Sequence, residues 1–543
     1  VEKNGTLSTT PPHGLDSPAG LAAYGELAGK GIKQAQKRIA ELLAEAGALE
    51  GEPRPITHPV KFWENGNRPL EIVTSHQWFI RYPDRDAMLA RGKELAWWPD
   101  FMRVRYENWV NGLHGDWNIT RQRFFGVPFP IWYPIDADGV VDFQNPITAG
   151  EDMLPVDPTT VTAPGYDEAQ RNQPGGFAAD PDVMDTWATS SLSPQIACGW
   201  EDDPDLFSRL FPMDLRPQAH EIIRTWLFST VIRSHYEHDC LPWANAAISG
   251  FVVDPDRKKL SKSAGNAADD PMALITQFGA DGVRYWAASG RPGMDVSFDL
   301  GQMKIGRKLA IKLLNASKFT LSMGAADDAG PATADPGSGT DGEITEPLDQ
   351  AMLATLANLV DEATAAFERF DYARALERTE TFFWSFCDDY LELVKNRSYG
   401  SAGEAGAASA RAALRLALET LLKLFAPIVP FVTEEVWSWW QEGSIHRSSW
   451  PDAAELRRRA GADADPAALA VAADVIGALR KAKSELKRSM RTDVTKAEVV
   501  DTDERLALLA RVEADVRAAG RVETLITTPG PDLSVQAELA PEA

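Results

Sequence analysis

The chain has 543 residues, of which 44% are hydrophobic and 25% are charged, and it carries a formal net charge of −24. Because an ordinary domain holds roughly 100–200 residues, this length predicts about three or four domains. No apolar run approaches the roughly 18 residues that a membrane-spanning helix needs, so the composition is typical of a soluble protein. The acidic balance disfavours broad contact with phosphate groups, and any RNA contact must therefore be local.

The three cysteines, Cys198, Cys240 and Cys387, are odd in number and show no paired spacing. This pattern disfavours a disulfide framework and favours a reducing compartment, so we expect a cytoplasmic protein. His235 and His238 stand close to Cys240 in the sequence, at a spacing that could hold a metal ion. A structural zinc site uses four ligands and no fourth is evident, so we expect no protein-bound zinc.

The N-terminal half of the chain alternates between predicted helices and strands. Residues 1–20 are rich in Gly, Pro, Ser and Thr and predict a loop. Apolar residues from Ile32 to Ala46 recur at helical spacing, and Gly47 stands where a C-terminal glycine belongs. Runs of β-branched and aromatic residues predict strands at 70–80, 129–133 and 246–253. The alternation indicates part of a doubly wound α/β sheet with parallel strands.

The C-terminal half is predicted to be mainly helical. Residues 324–346 are rich in Gly, Ala, Asp and Pro and predict a flexible insertion. Amphipathic helices with short connections, typical of an antiparallel bundle, are predicted at 348–369, 371–396, 405–425 and 431–441. A small α/β appendage follows, with helices at 466–491 and 503–519 and strands at 496–500, 522–527 and 533–538.

The segment Lys259-Leu260-Ser261-Lys262-Ser263 is the clearest candidate for chemistry. It follows a predicted strand and precedes a helix that is predicted to begin near Pro271. Two lysines separated by two residues can bring both ammonium groups close to a triphosphate, and the serine hydroxyls can approach the phosphates. The alternative is a surface turn that happens to hold these residues, and the five residues alone do not decide between the two.

The residues around this segment resemble a known family. Residues 248–266 (ISGFVVDPDRKKLSKSAGN) resemble the Lys-Met-Ser-Lys-Ser signature loop of class I aminoacyl-tRNA synthetases in the Val/Ile/Leu subgroup, with Leu260 in place of Met. Residues 115–128 (GDWNITRQRFFGVP) resemble the Trp-Cys-Ile-Ser-Arg-Gln-Arg block of that subgroup, with Asn118 in place of Cys. The resemblance covers nearly the whole chain.

Two further segments favour the valyl branch of this family. Residues 182–187 (DVMDTW) are similar to its Asp-Val-Leu-Asp-Thr-Trp motif, and Thr186 favours the valyl over the isoleucyl enzymes. Residues 295–299 (DVSFD) resemble the valyl Asp-Ile-X-Phe-Asp stretch. Isoleucyl or leucyl ligases remain the alternative within the class.

The resemblance also implies an amino-acid pocket. Residues 216–226 (RPQAHEIIRTW) correspond to the Gly-His-Asp-Ile segment of the family, from which Ala219 and Glu221 depart. By this resemblance the side chain of the amino acid would be met by Trp187, Ile222 and Trp226, and its ammonium group by Glu221. A small apolar cavity with aromatic walls and one carboxylate suits such a ligand. For Trp226, plain core packing is the alternative.

The family resemblance also implies how the predicted elements are grouped into domains. Residues 424–437 (LFAPIVPFVTEEVW) are similar to the bundle signature, and we expect a structural role there, with Thr433 at or near the cap of a restarting helix. The implied domains are 1–20, the trailing edge of an editing region; 21–300, the C-terminal half of a Rossmann-type catalytic domain; 301–346, a connecting helix and flexible insertion; 347–460, an anticodon-binding helical bundle; and 461–543, a small α/β appendage.

The implied activity is the ATP-dependent attachment of valine to tRNA(Val) through valyl-adenylate. Lys259 and Lys262 would stabilise the phosphate charge, and Mg²⁺ would accompany ATP rather than sit in a protein cage. The expected partners are valine, ATP and tRNA(Val), with no membrane, and the protein is expected to be a monomer. A basic stripe in the appendage would contact the tRNA backbone, although such a stripe is also typical of a solvated helix face; its residues are Arg480, Lys483, Lys487 and Arg491.

The family's second phosphate-binding element, His-Ile-Gly-His, is not found in the sequence, and the chain begins at Val1 without a signal-peptide pattern. These observations predict a fragment or processed product that can neither form the adenylate nor proofread alone. A non-catalytic tRNA-binding remnant is the alternative from another functional class. The intact lysine pair at 259 and 262 favours a nucleotide-binding loop over such a remnant.

Overall fold

The computed structural model describes residues 1–2, 4–54, 56–57, 59–62, 70, 75–258, 260, 270–323 and 342–541. The chain divides into two compact units. The first unit comprises Val1–Asp84 and Leu113–Leu192, and the second comprises Arg85–Gly112 and Ser193–Ala543. Of the helices in these residues, none combines the length and apolarity needed to cross a membrane.

The helices have the following bounds: α1 Pro18–Gly25, α2 Ile32–Glu45, α3 Arg85–Glu94, α4 Arg103–Asn111, α5 Thr186–Ser190, α6 Ser193–Ala197, α7 Pro204–Leu210, α8 Phe228–His238, α9 Pro271–Phe278, α10 Ala280–Ala288, α11 Leu300–Ser322, α12 Pro347–Glu368, α13 Tyr372–Ser385, α14 Leu391–Ser398, α15 Glu404–Phe425, α16 Pro430–Trp437, α17 Ala453–Ala460, α18 Ala467–Glu485 and α19 Asp503–Gly520. The strands are β1 Phe79–Ile80, β2 Ala96–Trp98, β3 Trp117–Asn118, β4 Thr120–Arg121, β5 Ile131–Pro134, β6 Ile147–Thr148, β7 Phe177–Ala179, β8 Val183–Met184, β9 Met213–Ala219, β10 Trp243–Ser249, β11 Val252–Val253, β12 Val296–Ser297, β13 Val494–Asp501, β14 Val522–Pro529 and β15 Ser534–Leu539.

The first unit contains short antiparallel strands around a small aromatic core. Strand β5 lies between β6 and β7, and Trp132 of β5 and Phe177 of β7 are completely buried. The predicted helix after Gly31 is confirmed as α2, which ends just before Gly47 with its φ of +68°. Glycine suits that left-handed position because it has no Cβ atom to clash with the preceding turn.

The prediction that all the strands form one parallel layer is wrong in part. The strand predicted at 129–133 is present as β5, but it pairs antiparallel with its neighbours in the first unit. Of the run predicted at 70–80, only β1 forms a strand, while residues 71–74 lie outside the described residues. Apolar content identified these strands, but it carries no information about which neighbours they pair with.

The parallel sheet lies in the second unit, where β10 pairs with β2 on one side and β9 on the other. Three residues of β10 are buried, namely Trp243, Ala246 and Ile248. Helix α8 connects β9 to β10, as parallel neighbours require a crossover connection. The predicted strand at 246–253 is therefore two strands, β10 and β11, separated by Gly250 and Phe251.

Helices α12 to α16 confirm the predicted bundle to within a few residues. The predicted helix at 371–396 consists of α13, a wider turn at Phe386–Tyr390 and α14. Apolar side chains such as Leu356, Leu414 and Leu421 are completely buried between the helices. The prediction that Thr433 caps α16 is wrong, because Thr433 lies inside the helix and its hydroxyl donates to the carbonyl of Val429.

The C-terminal appendage is a three-stranded sheet with α18 and α19. Strand β13 is central, parallel to β14 and antiparallel to β15, and its residues Val494, Ala497 and Val499 are completely buried. Helix α18 ends at Glu485, earlier than predicted, and Lys487 follows with a φ of +52°. The predicted fold class is thus confirmed: an α/β region of Rossmann type, an all-α bundle and a small α/β appendage.

Candidate functional site

The candidate site of the second unit is built at the carboxyl ends of two neighbouring parallel strands. Ala219 ends β9 and Ser249 ends β10, and these two residues are partners in the strand register. In open α/β sheets, ligands bind outside the carboxyl ends of the strands. The segment that begins with His220 and the segment that leads to the lysine motif therefore start side by side at the edge where a ligand is expected.

The candidate pocket residues Glu221, Ile222 and Trp226 follow β9 directly. Glu221 and Ile222 lie in a tight helical turn at His220–Ile222, and Trp226 lies in the wider turn at Ile223–Leu227. Glu221 is exposed, whereas Ile222 and Trp226 are half-buried. The irregular turns occur where the chain leaves the sheet, and such widened turns are frequent at functional sites.

The indole of Trp226 packs against Arg216 of β9, whose guanidinium carbon lies 3.0 Å from the ring centroid. The same carbon lies 5.6 Å from the ring centroid of Trp243. Burial lowers the pKa of Arg216 to about 10, because removal from water disfavours the charged form. Trp226 thus packs against a half-buried cation of its own unit, which agrees with the packing alternative for this residue.

Trp187, the fourth candidate pocket residue, belongs to the first unit, where α5 begins. The carboxylate of Asp185 caps this helix by accepting from the Trp187 N–H at 3.0 Å. Its second oxygen pairs with a guanidinium nitrogen of Arg121 at 2.5 Å, and Asp185 is almost fully buried. The two sequence motifs that contain Arg121 and Trp187 are therefore joined by one buried carboxylate.

The base of the signature loop is ordered by a tight turn and one strand contact. The turn is closed by Asp254, whose N–H donates to the carbonyl of Lys258 at 2.8 Å and whose carboxylate accepts from the Lys258 N–H at 2.8 Å. The N–H of Leu260 then donates to the carbonyl of Val252 at 3.2 Å. The other predicted loop residues, Lys259, Ser261, Lys262 and Ser263, lie outside the described residues.

Two residues close to this base, His220 and Asp295, were quoted only as parts of motifs in the sequence. One carboxylate oxygen of Asp295 accepts from the N–H of Phe251 at 2.8 Å. The same oxygen lies 3.8 Å from Nε2 of His220. The contact joins segments that are far apart in the sequence, so a local sequence pattern cannot predict it. The sequence motifs indicated only that His220 and Asp295 each lie near the end of a strand.

The four predicted tRNA-contact residues differ in exposure. Lys487 and Arg491 are exposed, and Arg480 pairs with Asp389 at 3.3 Å. Lys483 is only 3% exposed, and its ammonium group donates to the carbonyls of Gly520 at 2.9 Å and Met490 at 3.2 Å. The structure therefore contradicts the inclusion of Lys483, because a buried ammonium group with two carbonyl partners cannot reach a phosphate.

The residues considered for a metal lie at the end of α8. His238 is surrounded by the rings of Trp200, Phe207 and Phe211, with centroid separations of 4.8–5.6 Å. The described part of the chain contains no group of three or more His, Cys, Asp or Glu side chains placed to hold a metal ion. His238 is thus a packed aromatic neighbour within the described residues.

Comparison with known proteins defines the class. A family model described as tRNA synthetases class I (I, L, M and V) matches residues 27–299. A second model, the anticodon-binding domain of tRNA ligase, matches residues 349–499. This chain belongs to the class I tRNA synthetases of the I, L, M and V group.

Two curated relatives are similar to nearly the whole chain. The valine–tRNA ligase of Thermobifida fusca is 58% identical and the match covers 99% of this chain and 60% of that protein. The valine–tRNA ligase of Salinispora tropica is 55% identical, over 97% of this chain and 62% of that protein. The chain therefore spans about three fifths of the length of the curated relatives that it matches.

A solved structure shares the fold. The LeuRS of Agrobacterium radiobacter K84, crystallised as a ternary complex with tRNA and LeuAMS, matches with a TM-score of 0.50 and 18% identity. The match covers 78% of this chain and 51% of that one. At this identity the likeness concerns the fold alone.

Proposed function

We propose that this chain takes part in the ATP-dependent attachment of valine to tRNA(Val) through valyl-adenylate, as a portion of a valine–tRNA ligase. The observation that carries the proposal is the 58% identity to a valine–tRNA ligase along 99% of the chain. It is supported by the register pairing of Ala219 with Ser249, which brings the starts of the amino-acid segment and the nucleotide loop to one sheet edge.

In this proposal Lys259 and Lys262 stabilise the charge that develops on the departing pyrophosphate, and the segment 259–263 binds ATP. Fixed cations aimed at developing charge are worth more in a site that excludes water than in bulk solvent. Mg²⁺ accompanies the phosphates of ATP, since this ion prefers a few oxygen ligands and retains several waters.

Valine recognition is assigned to Trp187, Ile222 and Trp226 for the branched side chain and to Glu221 for the ammonium group. Support comes from the position of Glu221 and Ile222 directly after the carboxyl end of β9. The exposure of Glu221 leaves its carboxylate accessible to solvent, as a group that receives a cationic ligand must be.

The tRNA is assigned to the helical domain at 347–460 and to the basic surface of the appendage at 461–543. Arg480, Lys487 and Arg491 supply that surface, and the exposed residues Lys304 and Arg307 of α11 offer a second one. Because the chain has a net charge of −24, these local surfaces must provide the attraction for phosphates. We place the protein in the cytoplasm as a monomer, in line with this role.

The test is pyrophosphate exchange into ATP by the natural protein that contains this chain, measured with valine, isoleucine, leucine and threonine in turn. The proposal expects valine to support exchange better than the other three amino acids. It also expects Lys262→Ala to reduce the exchange rate about 100-fold, as the loss of one electrostatic catalyst does. Lys423→Ala, on α15, serves as the matched lysine control.

Binding of tRNA gives an independent measurement, because it depends on the helical domain and the appendage rather than on adenylate chemistry. Filter binding with tRNA(Val) and tRNA(Ile) compares the two branches of the family directly. Preference for tRNA(Ile), or exchange supported mainly by isoleucine or leucine, would overturn the valine assignment. Selective tRNA binding without any exchange favours the non-catalytic alternative.

A further inference from the structure

We infer that Asp295 is a positioning residue that ties the amino-acid segment at His220 to the base of the signature loop at Phe251. The inference rests on the proposed function, since it concerns the two parts of that site. It adds a residue outside the pocket and outside the lysine motif to the machinery of the reaction.

The first contact joins Asp295 to the loop side. The N–H of Phe251 donates to a carboxylate oxygen of Asp295 at 2.8 Å. After Asp295 the contacts are between backbone groups: the N–H of Val296 donates to the carbonyl of Phe251 at 2.8 Å, and the N–H of Phe298 donates to the carbonyl of Val253 at 2.8 Å. The carboxylate therefore takes the place of a backbone acceptor at the entry of the β11–β12 ladder.

Gly250 allows this approach of the two segments. A Cβ atom at Gly250 would lie 2.2 Å from the carbonyl oxygen of Met294 and 2.5 Å from the nitrogen of Asp295. Both are backbone atoms, which cannot move aside as a flexible side chain can. The close approach fixes the position of Asp295 relative to Phe251, and any side chain at 250 would force the segments apart.

Backbone hydrogen bonds connect the segment of Asp295 to the base of the signature loop. Val252 is paired with Val296 in the parallel ladder. The carbonyl of Val252 in turn accepts from the N–H of Leu260, the described residue of the signature motif. A displacement of the 295–296 segment is thereby passed to Leu260.

The second contact joins Asp295 to the amino-acid segment. Nε2 of His220 lies 3.8 Å from the oxygen that accepts from Phe251, and its ring meets the Phe251 ring edge-on at a centroid separation of 4.3 Å. The His220 side chain is only 11% exposed, so its place is determined by packing. Glu221 and Ile222 follow His220 immediately, in the tight turn His220–Ile222.

The consequence for the reaction is geometric. Adenylate formation requires the carboxylate of the amino acid and the α-phosphate of ATP to meet at an attack distance, and a misplacement of about 1 Å can cost roughly 100-fold in rate. Asp295 touches neither reactant in this scheme. Its loss should therefore reduce kcat far more than it weakens the binding of valine.

The experiment compares Asp295→Ala, Asp295→Asn and His220→Asn with the wild type in the natural protein that contains this chain. Pyrophosphate exchange gives kcat and the KM values for ATP and valine. Hydrogen exchange at the amides of Phe251 and Leu260 gives the order of the loop base without any reference to activity. Asp202→Ala, an exposed carboxylate of the same unit, is the matched control.

We expect Asp295→Ala to speed amide exchange at Phe251 and Leu260 about tenfold, the effect of one hydrogen bond. Its kcat should fall about 10–100-fold while the KM for valine stays within a factor of about two. Asp295→Asn keeps an acceptor for the Phe251 N–H and should restore the amide protection and most of kcat.

Two outcomes would overturn the inference. One is an unchanged kcat in Asp295→Ala when the amides have lost protection. The other is an equal loss in kcat and in valine binding accompanied by global unfolding in both Asp295 variants and in His220→Asn. If the wild type shows no exchange with any amino acid, the proposed function fails, and the amide protection alone then decides whether Asp295 orders the loop base.

Discussion

The carboxylate of Asp281 accepts a hydrogen bond of 2.8 Å from the backbone N–H of Val432, 151 residues further along the chain. Its other oxygen accepts from the N–H of Phe431 at 3.2 Å. Helix α16 has no side-chain cap of its own, since Val429 precedes it. Asp281 of α10 therefore caps a helix of the bundle from a distant part of the sequence, which joins the α/β region to the bundle within the second unit.

Replacement of Asp281 by alanine is expected to destabilise the second unit by about 1–2 kcal/mol, because two N–H groups of the first turn lose their acceptor. Asp281→Asn keeps one acceptor oxygen and should cost less. Urea unfolding of both variants, with Asp202→Ala as an exposed control, measures the difference. Equal free energies of unfolding for Asp281→Ala and Asp202→Ala would show that the cap contributes nothing.

A buried ionic network should make Arg397 much more sensitive to substitution than surface arginines. Its guanidinium donates to Asp349 at 2.7 and 2.8 Å and to Asp515 at 2.8 and 3.1 Å, and Asp349 is completely buried. Arg397→Met leaves two buried carboxylates without their cation and should cost about 3–5 kcal/mol. Arg397→Lys should also destabilise, because an ammonium group cannot reproduce the paired planar contacts.

The matched control for this network is Arg378→Met, which breaks the exposed pair with Glu362. Exposed ion pairs contribute about 0–1 kcal/mol, so this variant should unfold close to the wild type in urea. A similar loss in free energy for Arg378→Met and Arg397→Met would contradict the prediction. Because Asp515 belongs to α19, the network also predicts that Arg397→Met loosens the appendage.

The basic residues of the appendage should separate into two classes when tRNA binding is measured against salt. Lys487→Ala and Arg491→Ala should each weaken binding and lower the slope of log K against log salt by about 1, because each removes one phosphate contact. Lys483→Met should leave that slope unchanged and instead lower the free energy of unfolding by about 1–3 kcal/mol, because two carbonyls lose their donor.

Salt titrations at two or more ionic strengths, combined with urea unfolding of the same three variants, test this division. A drop in slope for Lys483→Met without any loss of stability would return Lys483 to the tRNA surface. Burial lowers the pKa of Lys483, with Arg521 acting in the same direction, which agrees with an ammonium group held away from solvent.

His220 should make the stability of the protein depend on pH. Burial lowers its pKa from the ordinary 6.5, and Arg105 adds to the shift, whereas Asp295 and Glu221 oppose it. Between the folded and unfolded pKa values the unfolded chain binds more protons, so stability rises with pH. The contribution is fully present above the ordinary pKa and is lost as pH falls through the lower folded value.

The measurement is the free energy of unfolding of wild type and His220→Gln at about pH 8 and about pH 5, on either side of the ordinary histidine pKa. The wild type should lose more stability than the variant between these values. His13→Gln, at an exposed histidine, should follow the wild type. Parallel pH curves for the wild type and His220→Gln would show that His220 does not carry this dependence.

The sequence by itself determined the long helices of this protein and the motifs of its family. In α12 and α15 the apolar residues recur every three or four positions over 22 residues, so the periodic signal accumulates and the bounds were predicted to within a few residues. The motif at 259–263 and the segments around it indicated the class for a similar reason, because each is a contiguous run.

The tertiary structure alone decided which strands neighbour each other. Strand β2 has three residues and β9 contains Pro217, so neither shows a strand pattern, yet both flank β10 in the parallel sheet. Pro217 is compatible with β9 because β9 lies at the edge of that described sheet, and proline, which has no N–H to donate, is found in sheets mainly on edge strands.

The same holds for single side chains. Lys483, Asp281 and Asp295 are polar residues in helices or at strand ends, and their local sequence is compatible with full exposure. Their partners stand 37, 151 and 44 residues away along the chain. A periodic pattern reports only which face of an element is apolar, whereas the partner of a charged side chain depends on which distant element lies beside it, and folding alone brings those elements together.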